Sequence, residues 1–210
     1  MVSCGADFTT ALCRRKEAQS SSPGSLHHGV KSEVYSWGNN DYGQLGTRLK
    51  VKKTCEPLRI DAFDVLEDEI ALISCGGSHS LYLTSDHDVI SCGNNGDGQC
   101  GFDPRECTKT NSPFKVAAFD GVDITQLSAG YRHSLFLSSN GKVFAAGSNR
   151  EFQLGIGETM ASTNMPVLVQ ALEQNPISRV EAAFSSAAID KKGRLFLWGR
   201  CIAGDIPFPN

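Results

Sequence analysis

A ten-residue phrase recurs along this chain at a nearly fixed spacing. Trp37-Gly38-Asn39-Asn40-Asp41-Tyr42-Gly43-Gln44-Leu45-Gly46 returns as Cys92-Gly93-Asn94-Asn95-Gly96-Asp97-Gly98-Gln99-Cys100-Gly101 and as Ala146-Gly147-Ser148-Asn149-Arg150-Glu151-Phe152-Gln153-Leu154-Gly155. Trp198-Gly199 begins a fourth copy that then diverges. The anchor glycines Gly38, Gly93, Gly147 and Gly199 stand 55, 54 and 52 residues apart. Such a period means one supersecondary unit stacked on copies of itself, each burying its apolar face only against a neighbour. The functional question therefore moves from a catalytic cleft toward a surface assembled from repeated loops.

Within each copy the residues spell a β-hairpin. The first strand reads Cys75-Gly76-Gly77-Ser78-His79-Ser80-Leu81-Tyr82-Leu83 in one copy and Ala129-Gly130-Tyr131-Arg132-His133-Ser134-Leu135-Phe136-Leu137 in the next. Residues 4–12 and 182–189 hold the equivalent places at either end. Asn140-Gly141 predicts a tight type I′ turn, since both central positions of that turn need positive φ. Residues 142–146 return from it, and the anchor glycine then allows a sharp turn or close backbone approach. An apolar stretch (69–74, 122–127, 177–180) and a proline-containing stretch (56–60, 112–116, 165–169) precede each hairpin. Four short strands per period, punctuated by Pro and Gly, are the layout of a propeller blade. The predicted repeats are 1–55, 56–110, 111–163 and 164–210, in a single all-β domain spanning 1–210. Two segments, 64–69 and 167–174, have some helical character, too short to change the class.

The first copy is longer than the others. Gly5 to Gly38 spans 33 residues, against 17 from Gly76 to Gly93 and from Gly130 to Gly147. The extra length falls in residues 14–33, whose Ser20-Ser21-Ser22-Pro23-Gly24-Ser25 composition predicts a surface insertion in the form of a mobile loop.

Composition narrows the function classes. A chain of 210 residues with 40% hydrophobic and 20% charged residues reads as globular. The net charge of −3 gives no indication of nucleic acid or chromatin as a partner. No apolar run is long enough to cross a membrane as a helix. The eight cysteines, with no glycosylation acceptor site, read as reduced thiols of an intracellular protein, cytoplasmic or nuclear.

These residues resemble the repeat family named after the regulator of chromosome condensation (RCC1 repeats). The Cys/Ala-Gly-x-x-His-Ser strand, the Gly-x-Val-x-x-Trp/Cys-Gly strand and the Asn-x-x-Gly-Gln-Leu-Gly turn carry the likeness. It implies an RCC1-like β-propeller built from four-stranded blades, of a type with seven blades. About four repeats are present here, so the expected architecture is an incomplete ring and the chain reads as a fragment of a longer protein. An open arc would expose apolar blade faces and self-associate.

Each candidate site has a structural reading beside it. His79 and His133 occupy equivalent positions where other copies carry Phe8 and Ser185, so they read as blade histidines rather than ligands. Cys92, Cys100 and Cys107 are spaced too widely for the usual zinc pairs. Asn95, Asp97, Gln99, Asp103 and Glu106 fit positions 1, 3, 5, 9 and 12 of a calcium loop, but position 6 is Cys100 instead of glycine. No phosphate-cradling Gly-x4-Gly-Lys-Ser/Thr and no nucleophile elbow occurs. The expectation is a chain without cofactor or metal and not an enzyme. The acidic cluster Asp61, Asp64, Glu67, Asp68, Glu69 and the basic runs Arg14-Arg15-Lys16 and Arg48 to Lys53 read as solvated surface.

Function then falls to the turn tips. The expected reading is a non-catalytic scaffold or regulatory module that binds a protein through Asp41, Tyr42, Asp97, Arg150, Glu151 and Phe152. Gly38, Gly43, Gly46, Gly76, Gly93, Gly98, Gly101, Gly130, Gly147, Gly155, Gly199, Trp37, Trp198, His79 and His133 are the structural positions of the repeat. The alternative implied by the resemblance is guanine-nucleotide exchange on a Ran-like or other small GTPase, which needs differential affinity rather than a catalytic triad.

Overall fold

The computed structural model describes residues 1–15, 31–66, 68–157 and 160–200, and places its strands in four antiparallel sheets. The first sheet holds β1 (Val2–Cys4), β2 (Phe8–Arg15), β3 (Lys31–Asn39) and β4 (Lys53–Arg59) in that order. The second holds β5 (Ile70–Cys75), β6 (His79–Thr84), β7 (Val89–Asn94) and β8 (Lys109–Lys115). The third holds β9 (Ile124–Ala129), β10 (His133–Ser138), β11 (Val143–Ser148) and β12 (Ser162–Leu168). The fourth holds β13 (Ile177–Ala182), β14 (Ser185–Asp190) and β15 (Leu195–Gly199), three strands among the described residues where the sequence suggested four. All-β architecture in blade-like sheets is therefore what forms.

Several local expectations are revised. The proline-containing strands β4, β8 and β12 pair with the strand before them, β3, β7 and β11, so each ends one sheet rather than opening the next. Sheets and sequence repeats are thus offset. Strand β1, ahead of Gly5, pairs with β2 from Val2↔Ala11 to Cys4↔Thr9. Among the described residues helical character is confined to 3-10 turns at Asp61–Val65, Ala117–Phe119 and Gln170–Leu172. Residues 167–168 are strand, because Val167 pairs with Ala145.

The hairpin at Asn140-Gly141 is also not the two-residue turn expected. Gly141 alone is left-handed, at φ 82, and its amide donates to Ser138 O at 2.9 Å. A turn followed by a left-handed residue is the longer hairpin connection. His87 holds the same left-handed place in the second sheet, at φ 68, with its Nδ1 2.9 Å from Ile124 O of the third. At residues 14–33 the flanks are not loop: β2 and β3 pair through Cys13↔Glu33, Arg14↔Ser32 and Arg15↔Lys31. The Ser20 to Ser25 stretch lies outside the described residues.

Apolar contacts sit between sheets. The cross-strand pairs Leu12↔Val34, Leu83↔Val89 and Leu137↔Val143 are all buried. Each packs beneath the next sheet, as Leu137 and Val143 do against Val169, Leu172, Ile177, Val180 and Ala188. The equivalent pair in the fourth sheet, Ile189↔Leu195, is 36% and 51% exposed. Polar bonds repeat at each joint too. Ser3, Ser74 and Ser128 Oγ accept from the amides of Cys75, Ala129 and Ala182, one sheet on, at 2.8–2.9 Å.

Candidate interaction surface

The recurring phrase folds into the same turn three times, and its polar side chains explain its spelling. Asn40, Asn95 and Asn149 Oδ1 accept the amides of Leu45, Cys100 and Leu154 at 3.0–3.1 Å. Gln44, Gln99 and Gln153 Oε1 accept the amides of Tyr42, Asp97 and Glu151 at 2.9–3.0 Å. Leu45, Cys100 and Leu154 are plugs with no exposed surface. These bonds close the turn on itself.

The turns share one end of the sheets with the β1–β2, β5–β6 and β9–β10 connections. Asn39 N donates to Asp7 O, Asn94 N to Ser78 O and Ser148 N to Arg132 O, all within 2.9 Å. Glycine is required where the next sheet presses on a turn. A Cβ on Gly43, at φ 84, would stand 2.6 Å from Asn111 Cα, and one on Gly98 would strike Thr163 O. In the third turn the same position is Phe152, which keeps the left-handed backbone at φ 58 with its ring 60% exposed.

The expected tip residues divide. Tyr42, Arg150, Glu151 and Phe152 are exposed, as is Asp41, whose carboxylate accepts Asn39 Nδ2 at 3.0 Å. Asp97 is not presented to solvent. It is 6% exposed, and Arg132 covers it with Nε and the second guanidinium nitrogen at 2.7 and 2.6 Å from Oδ2. Asp97 therefore fixes the direction of Arg132. Two residues that sequence reasoning passed over complete the surface. The rings of Tyr131 and Phe184 stack with centroids 4.8 Å apart, although each is about half exposed. Tyr131 N donates to Ala183 O at 2.7 Å, tying the two connections together. The available signal was positional, since both follow the Gly or Ala that opens the hairpin of their copy.

The histidines are interior. His79 Nε2 lies 2.8 Å from Ser134 Oγ and His133 Nε2 2.8 Å from Ser186 Oγ, each one sheet on. Those hydroxyls donate onward to Gln99 O and Gln153 O at 2.6 Å. A hydroxyl has one proton, so both histidines must donate from Nε2, leaving buried Nδ1 atoms without partners. Burial, with His133 nearby, lowers His79 to a pKa of about 3; burial lowers His133 to about 4. Neutral rings of this kind are joints, not acid–base groups. Trp198 serves similarly, its Nε1 donating to Gln153 O at 2.9 Å and its ring lying against Gly155.

The remaining alternatives are accounted for by local bonds. Oxygens of the calcium-loop candidates are engaged elsewhere: Asn95 Oδ1 accepts Cys100 N, Gln99 Oε1 accepts Asp97 N, and the Asp97 and Asp103 carboxylates pair with Arg132 and Arg105. Burial pushes the Cys92 thiol up to about 12 and raises Cys75 and Cys100, so these thiols are fillers. Among the described residues no group of three or more His, Cys, Asp or Glu could hold a metal ion. No helix among them is long and apolar enough to cross a membrane.

Four successive antiparallel sheets joined by one repeated set of contacts define a β-propeller-like repeat arc. The Regulator of chromosome condensation (RCC1) repeat matches residues 31–83, 86–137 and 140–187, and this chain belongs to that family. It is 31% identical to the serine/threonine-protein kinase Nek9 of Xenopus laevis over 98% of its own length and 21% of that protein. It is 29% identical to the human RCC1-like G exchanging factor-like protein, over 83% of this chain and 38% of that one. Among solved structures, Prp20p from Saccharomyces cerevisiae superposes with a TM-score of 0.73 at 25% identity, over 94% of this chain and 43% of Prp20p. The chain spans less than half the length of each of these relatives.

Proposed function

We propose that this chain is a non-catalytic repeat module that binds a protein partner through the turn end of its sheets. The observation that carries this reading is the Tyr131–Phe184 stack, half exposed beside the Asp97-anchored Arg132. Aromatic rings and an oriented guanidinium are the side chains that dominate interface energetics. Here the connections carrying the rings are tied by the Tyr131 N to Ala183 O bond and the guanidinium is held by Asp97, so binding would cost little ordering entropy. Seven described cysteines are all free, which supports a reducing compartment, cytoplasmic or nuclear.

Affinity capture from cells with the wild-type chain, Y131A/F184A and V65S tests the reading. Val65 is exposed at the opposite end of the sheets and serves as the control. Partners kept by wild type and V65S and lost by Y131A/F184A are expected; capture unchanged by Y131A/F184A overturns the assignment.

A second reading is guanine-nucleotide exchange, which two of the similar proteins suggest. One relative is named a G exchanging factor-like protein, and the Prp20p structure was reported with its binding properties to Gsp1p. Release of fluorescent GDP from a panel of small GTPases, including a Ran-type member, separates the readings. Acceleration above the intrinsic rate supports exchange, and none supports the binding module.

A further inference from the structure

The arm that follows each turn, leading to the last strand of its sheet, has the same scaffold in every copy but different charge. After the first turn it reads Thr47-Arg48-Leu49-Lys50-Val51-Lys52-Lys53, with four cations and no carboxylate. After the second, counted to the equivalent Lys109, Asp103 and Glu106 stand against Arg105 and Lys109, so the charges cancel. The third arm, residues 156–162, contains Glu158 and no cation. A chain of net charge −3 therefore concentrates positive charge at one of three equivalent places.

That place is a groove. A cavity of about 420 Å³ lies between the first turn, its arm and the start of β8, lined among others by Tyr42, Leu49, Lys50, Val51, Lys52 and Lys109. The arm is pinned on both sides. Asn40 takes Lys52 O with its amide at 2.7 Å and Val51 O with Nδ2 at 2.8 Å. Arg48 N donates to Asn111 O at 2.8 Å and Arg48 Nε to Ser112 Oγ at 3.0 Å, in the second sheet. The groove is thus pre-formed across a joint. Lys50, Lys52 and Lys53 form no ion pair among the described residues, in contrast to Arg105, which is spent on Asp103. Exposed Tyr42, Leu49 and Val51 alternate with the cations.

We propose that this groove binds an acidic peptide segment of a partner, one whose carboxylates alternate with apolar side chains. Charge complementarity selects the class: three lysines face the cavity against the single carboxylate of Asp41. The apolar lining favours a peptide over nucleic acid, because Leu49 and Val51 offer nothing to a phosphate backbone and Tyr42 is the one ring there able to stack on a base. Opposite-sign surfaces steer association and set specificity, with a salt-dependent on-rate. The groove uses none of the Tyr131, Phe184 or Arg132 side chains, so this proposal and the aromatic-face reading fail independently.

The test is fluorescence anisotropy of the full chain with a fluorescein-labelled decapeptide in which Glu and Asp alternate with Leu. A Lys-for-Glu/Asp peptide and a single-stranded oligodeoxynucleotide of equal charge are the competitors. Saturable binding of the acidic peptide, weakened by salt and by about tenfold or more in K50E/K52E/K109E, is expected. R105E, in the equivalent arm, should bind as wild type, and circular dichroism melts should confirm that all variants fold. Affinity unchanged in the triple variant, an equal loss in R105E, or tighter binding of the oligonucleotide overturns the proposal.

Discussion

His79 Nε2 lies 2.8 Å from the hydroxyl of Ser134, one sheet away, and that hydroxyl has already given its proton to Gln99 O. The histidine must therefore be the donor, and its Nδ1 is a buried, unpartnered acceptor. Protonation there would place an unpaired cation in the joint. In the unfolded chain both imidazoles take up protons near pH 6.5, whereas folded they resist to about 3 and 4. The unfolded state binds more protons across that window, so stability is complete above about pH 6.5 and falls as pH drops toward 4. The slope approaches about 1.4 kcal/mol per pH unit for each histidine. Thermal melts between neutral and mildly acidic pH should show a falling Tm. H79F/H133F, which copies Phe8 of the first sheet, should flatten that dependence.

Gly98 and Gly193 are both left-handed, at φ 87 and 82, but only Gly98 has a neighbour where a Cβ would go. Gly193→Ala meets nothing within 4 Å and should cost about 1–2 kcal/mol from backbone strain. Gly98→Ala also strikes the Thr163 carbonyl and should cost about 3 kcal/mol or more. Denaturant midpoints for the two variants measure the difference.

Arg132→Ala would remove both the charge partner and the cover of the Asp97 carboxylate. Half of the Arg132 side chain is in solvent, which discounts the pair, so a loss of about 1–2 kcal/mol is expected. Arg132→Ala/Asp97→Ala should recover part of it, as a double-mutant cycle in urea would show.

Thiol chemistry should sort the cysteines by depth. Cys4, Cys13 and Cys55 are exposed, while Cys75, Cys92 and Cys100 are buried with raised pKa values. Brief alkylation of the native chain, read by mass spectrometry, should label the first three and spare the others until denaturant is added. Rapid native labelling of Cys92 would contradict the packing of the first joint.

The fold was legible where its determinants are local. Anchor glycines at φ 104 to 110 and the Leu–Val cross-strand pairs follow from period and alternation in the sequence. Pairing of β4, β8 and β12 with the preceding strand was not, because each returns across a long turn and arm that carries no local marker of direction. Asp97 looked like an exposed tip residue because its partner is 35 residues away in the next sheet. Tyr131 and Phe184 meet only when two connections are brought side by side, 53 residues apart in sequence. The groove was visible only as a basic run, since its second wall, Lys109 to Asn111, comes from another sheet.

Among the described residues Ile189 and Leu195 leave the trailing face of the fourth sheet open. Each sheet–sheet contact described above joins neighbours, so cohesion is local and nearly additive along the row. Among the described residues the first and fourth sheets each have one such seam where the second and third have two. Of the two end sheets the fourth, whose Ile189↔Leu195 pair is exposed where Leu12↔Val34 is buried, should fray first: amides of β14 and β15 should exchange with deuterated solvent well before those of β6 and β7, giving a gradient of opening free energies rather than a single all-or-none transition.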